Sequence, residues 1–187
     1  GSTLLFNGMN LQIVSGSGAT NATVNGLGNV IIGYNETIMP FLSIGVPASD
    51  KSGSHNLVVG KGLNYSSYGA LVAGEDNVSG AQYASVTGGE RNQATANFAS
   101  ILGGSLNEAT GTHSTTTGGQ RNVASNIYTS VSGGLRNTAS GQHSAVLGGQ
   151  LNVSSGNFST VSGGLRNDSL GNGSSISAGE LNKTGDF

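Results

Sequence analysis

Cysteine and tryptophan are missing from this 187-residue chain, proline occurs twice, and Asp, Glu, Lys and Arg together fill only 16 positions. Without cysteine there are no disulfides, thiolate metal sites or cysteine nucleophiles, and an oxidising or a reducing compartment suits the chain equally. A formal net charge of −2 gives no electrostatic drive toward nucleic acid or an anionic membrane, so a DNA-binding role is set aside. No apolar run reaches the roughly 18 residues needed to span a bilayer, so this segment is not expected to insert into a membrane. Gly1-Ser2 reads as a cloning remnant, and the start lacks the charged and apolar regions of a signal peptide. Gly, Ser and Asn supply 80 residues. That composition, taken alone, belongs to a linker with too little apolar surface to fold.

Periodicity points the other way. Asn recurs at 77, 92, 107, 122, 137, 152, 167 and 182, eight positions at a constant spacing of 15 residues. Gly pairs keep the same register from Gly88-Gly89 to Gly163-Gly164 and end as Ala178-Gly179. The unit reads Ser-Val-x-Gly-Gly-x-x-Asn-x-Ala-x-Gly-x-x-Ser. Looser spacing carries it upstream through Gly74, Gly60, Gly45 and Gly33, which makes eleven coils. A unit this short, with central Gly and β-branched residues before it, is wrong for a helical hairpin and right for two short strands and two turns. The chain is therefore expected to be all-β, a parallel β-solenoid of about eleven coils of 12–15 residues. Residues 1–28 form a lead-in or cap, and residues 29–187 form the repeat domain, with an insertion loop at about 36–50 that contains Pro40 and Pro47.

Alternation along the strands places Val86, Ile101, Thr116, Val131, Val146, Val161 and Ile176 in one inward column, and the Asn column and Ala94, Ala109, Ala124 and Ala139 inward beyond the Gly bend. About one Val and one Ala per coil is thin compensation for ordering 15 residues at roughly 1–2 kcal/mol each, so association into a homotrimer is the expected remedy.

The residues Ser85, Val86, Gly89 and Ala94, their 15-residue relatives, and Gly111, Gly141, Gly156 and Gly171 at the second turn carry a resemblance. Over about residues 29–187 the repeat resembles that of trimeric autotransporter adhesin heads (YadA-like), a family with the motif Ser-Val-Ala-Ile-Gly-x-x-Ala-x-Ala-x-Gly. The resemblance implies a trimeric left-handed parallel β-roll. Two departures stand out: Gly88 and Asn92 and their columns replace Ile and Ala, and the unit is one residue longer than the family's usual 14. These match a Gly-Gly, Asn-bearing subtype of adhesin heads and other trimeric bacterial surface fibres.

Several columns are candidates for binding. Tyr68, Tyr83, Phe98, His113, Tyr128, His143 and Phe158 are seven rings at one position of the repeat, on the side opposite the Val column. Stacking between coils is the structural reading, and a glycan or protein groove along Tyr83, Phe98 and Tyr128 the functional one. His113 and His143 are two coils apart, too far to share a metal within a chain. Asp76, Arg91, Leu106, Arg121, Arg136, Leu151, Arg166 and Leu181 form another column, in which Arg121 and Arg136 could hold an anionic glycan or pair with a neighbouring chain. Met39 and Phe41 sit in the insertion loop, as part of a cap or as apolar anchors of a binding tip. The Asn column reads as structural hydrogen bonding, and the sequons it generates as incidental.

Enzyme signatures are lacking. Gly16-Ser17-Gly18-Ala19-Thr20-Asn21 has no third Gly and opens no helix, and no P-loop Lys follows a Gly run. The sequence therefore points to a non-enzymatic protein without a cofactor or metal. It is expected to be extracellular, the head or tip of a bacterial surface fibre that attaches the cell to glycans or matrix proteins by multivalent contact. A structural spacer or phage-type fibre segment is one alternative. Ice binding is another, although Leu102 and Leu147 interrupt the only Thr-x-Thr column, at Thr115-Thr116-Thr117.

Overall fold

A computed structural model describes residues 2–38 and 48–185. Among them there is no helix, and the architecture is an all-β parallel solenoid of about nine turns. Each regular coil gives one strand to each of two parallel sheets. The ten-stranded sheet begins with Val30–Ile32, Leu57–Lys61 and Leu71–Glu75 and ends at Ser175–Ile176; the nine-stranded sheet runs from Asn64–Tyr65 to Lys183–Thr184. A third line of single bridges joins Glu75, Glu90, Ser105, Gln120, Leu135, Gln150, Leu165 and Glu180.

Residues 15 apart pair throughout the repeat, as Ser130 with Ala145 and Val131 with Val146, so each column meets its own kind. The upstream count is shorter than the expected eleven coils. Val30–Ile32 pairs directly with Leu57–Val59, so among the described residues no strand lies between them in the sheet, where the spacing sets a coil at Gly45. Gly45 itself lies outside the described residues.

The fifteenth residue of the unit has a visible place. Val72 pairs with Val86 and Glu75 with Glu90, so three steps in the upper coil face four in the lower. The extra residue enters at Thr87-Gly88. It does what a bulge does: the continuous strands Leu57–Lys61 and Leu71–Glu75 give way to two-residue strands followed by an isolated bridge. Beyond it Gly89 has φ 79°, and a Cβ there would lie 2.1 Å from the Gly104 carbonyl oxygen, so this turn accepts only glycine.

The inner columns fall as alternation predicts. Val86, Ile101, Thr116, Val131, Val146 and Val161 are fully buried between the sheets, opposite Ala94, Ala109, Ala124 and Ala139. The Asn column is buried and saturated. Asn107 donates its backbone N–H to Asn92 Oδ1 at 3.0 Å, and its Nδ2 donates to the Gly103 and Gly119 carbonyls at 3.0 and 3.1 Å. The same three bonds recur at Asn92, Asn122, Asn137, Asn152 and Asn167. Asn fits because one side chain both accepts the next coil's N–H and donates twice to the glycine bend, to Gly103 O and to Gly119 O, which also accepts the Ser105 N–H.

Candidate functional site

Two turns join the sheets in each regular coil, and each holds a residue in the left-handed region that, apart from Gly173, is not glycine. At the turn entering the ten-stranded sheet these are Tyr83, Phe98, His113, Tyr128, His143 and Phe158, with φ between 56° and 59°. At the other turn they are Asp76, Arg91, Leu106, Arg121, Arg136, Leu151, Arg166 and Leu181, with φ between 53° and 60°. Such a conformation costs an ordinary residue about 1–2 kcal/mol. Each is held by a ladder bond in which its N–H donates to the preceding coil, as Phe98 to Gln82 O at 2.9 Å and Arg121 to Ser105 O at 3.0 Å.

The rings form one continuous stack. From Tyr83 to Phe158 neighbouring centroids are 4.7–5.3 Å apart with planes 2–13° from parallel, and Tyr68 closes the upper end edge-on at 5.2 Å and 89°. Each ring inside the stack has both faces against its neighbours, so the exposed 47% of Phe98 and 52% of Tyr128 is mostly edge. The lower end is open. The next residue of the column is Gly173, and Phe158 rises to 65% exposure.

The predicted site residues are thus divided. Tyr83, Phe98 and Tyr128 share one edge of the flat coil and form a single ladder. Arg121 and Arg136 occupy the opposite turn and do not join the rings. Both are exposed, and the ion pair from Lys61 Nζ to Glu75 Oε1, at 2.9 Å, lies in the coils above them. Met39 and Phe41 lie outside the described residues. Tyr128 stands between His113 and His143, 4.9 and 5.0 Å from their rings, so the two imidazoles do not converge. No cluster of three or more His, Asp or Glu able to hold a metal occurs among the described residues.

Sequence reading missed an inner hydroxyl column, Ser114, Thr129, Ser144, Ser159 and Ser174. Its partners are legible only when the coil is closed. Ser159 bonds Ser154 and Ser174 bonds Ser169, both at 2.6 Å, whereas Ser114 and Ser144 face Ala109 and Ala139 and their buried hydroxyls have no partner. Glu108 was also missed: in the column of Gln93 and Val123, it is half-buried, and desolvation raises its carboxyl above the usual carboxylate range. In the lead-in, Ser15 donates its N–H to His55 Nε2 at 3.0 Å beside a cavity of about 420 Å³ lined by residues 12–16.

Fold and columns together define a parallel β-solenoid repeat protein, consistent with a β-roll. No protein-family model and no curated protein matches the chain.

Proposed function

We propose that the chain is the head or tip segment of a homotrimeric bacterial surface fibre of the autotransporter-adhesin type. It works outside the cell and attaches it to surface glycans or matrix proteins through many weak, repeated contacts. The observation that carries this reading is the outer face of the ten-stranded sheet. Val30, Ile32 and Leu57 are exposed at its upper end, Ile32 at 59%, and Leu102 and Leu147 are half-exposed below. Beside this column Gly103, Gly118, Gly148 and Gly163 have no positive φ and nothing within 4 Å of where a Cβ would lie. A face that is apolar at one end and carries Leu102 and Leu147 among small Thr, Ser and Gly residues along the rest suits close approach by copies of the same chain, and a coil with so little core of its own gains most from it.

Three chains side by side would present three ring ladders and three Arg columns along one stiff rod, the geometry from which avidity arises. Light scattering at micromolar concentration is expected to give a trimer. The double variant Leu102→Arg, Leu147→Arg, altered only at exposed positions, is expected to give monomers with a lowered melting temperature. A stable parent monomer overturns the reading. Glycan and matrix-protein arrays probed with the trimer then test attachment.

The spacer alternative has one observation in its favour. Rings that stack on one another use their faces internally, which serves a rod without any ligand. Silent arrays with an intact trimer would select it.

A further inference from the structure

The ring column carries no side chain at Gly173, the layer after Phe158, and Phe158 keeps a free face there. We infer that this exposed face of Phe158, above Gly173, is a binding shelf for an aromatic side chain of a polypeptide partner. This inference rests on the attachment reading and extends it to the last ring of the aromatic column, and the shelf can exist whether or not the chain is a trimer.

The shelf is set by register. Phe158 donates its N–H to Gln142 O at 2.8 Å, and Gly173 donates to Asn157 O at 2.8 Å, so the backbone ladder continues one layer past the last ring. The conformation continues too. Gly173 has φ 68°, close to the 56–59° of the six ring-bearing positions above it, so the glycine is not demanded by the backbone. A Cβ on Gly173 would meet nothing within 4 Å among the described residues, which leave the layer below Phe158 unfilled.

The chemistry of the occupant is displayed five times in the same column. Phenyl, phenol and imidazole rings sit on one another at 4.7–5.3 Å with planes within 13° of parallel. A Phe or Tyr side chain brought by a partner can take the same offset-stacked position on Phe158 without displacing any group. The opposite end offers no such place, because Tyr68 closes it edge-on and is itself buried. One open aromatic face makes a weak site, and three copies on one fibre would raise its effective strength.

The test is an NMR titration of the intact chain, following the Phe158 ring signals, with N-acetyl-L-tyrosinamide as probe and methyl β-glucoside in parallel. Tyrosinamide is expected to shift these signals saturably in the millimolar range while the glucoside does not. Gly173→Tyr fills the shelf from within and is expected to weaken tyrosinamide binding at least tenfold, with melting unchanged or raised. Phe158→Ser removes the platform and, followed at the Gly173 amide signal, is expected to weaken binding as much. Absence of a saturable shift, equal binding by folded Gly173→Tyr, or equal binding of the glucoside overturns the inference. None of these outcomes touches the trimer measurement or the arrays, so the shelf and the attachment reading can fail separately.

Discussion

At the scale of single residues, the inner hydroxyl column separates satisfied from unsatisfied burial within one repeat. Ser159 and Ser174 have hydroxyl partners across the coil, and Ser114 and Ser144 do not. An orphaned buried hydroxyl costs about 1–3 kcal/mol, so Ser114→Ala and Ser144→Ala are expected to raise the melting temperature, while Ser159→Ala, which orphans Ser154, lowers it. Calorimetry of the three variants gives the order directly. Glu108 supplies a pH dependence of definite sign. Desolvation holds its carboxyl above the usual carboxylate range, so the folded chain binds this proton more tightly than the unfolded one. Its contribution favours the fold at low pH and is lost as pH rises through the folded value. Glu108→Gln is therefore expected to stabilise the protein at neutral pH and to make no difference below the carboxylate range.

At the scale of the coil, the two left-handed turns have the same backbone and different reasons to tolerate it. Leu181 is 66% exposed and gains little at its turn, so Leu181→Gly exchanges strain for chain entropy and is expected to change stability by less than about 0.5 kcal/mol. Tyr128 lies between two rings, and Tyr128→Gly loses both contacts, a cost of about 1–3 kcal/mol. Equal effects in chemical denaturation would show that the ladder contributes nothing. The sheet alternation, the buried Val and Ala columns and the Asn ladder were legible in the sequence, because a fixed period turns one strand's parity into a prediction for every coil. The left-handed turns were not, since Arg121 or Phe98 carries no sign of positive φ; only Asp76 and Gly173, at the ends of the two columns, hint at it. The place of the extra residue was hidden as well, because spacing alone does not show that it enters at Thr87-Gly88 and shortens each strand. The division of the candidate site was equally hidden, because the Arg and ring columns look adjacent in a linear repeat and lie on opposite turns of the closed coil.

At the scale of the whole molecule, every coil rests on its two neighbours, so damage at the centre divides the stack. Val131 is fully buried, and Val131→Asp places an unpaired carboxylate between the sheets at a cost of several kcal/mol. Loss of a single cooperative melt is the expected outcome, and a melt like the parent's would mean that the column does not face inward. The strict pairing of like with like at 15 residues has the opposite implication for whole units. Excising residues 113–127 joins Thr112 to Tyr128 and sets ring over ring, Val over Ile and Asn over Asn again. Such a chain is expected to fold with the parent's circular dichroism and to be shorter by one strand spacing, about 4.8 Å. Length here behaves as a tally: a gene that duplicates or drops one unit resets the reach of the rod by one graduation, with no new contact to invent.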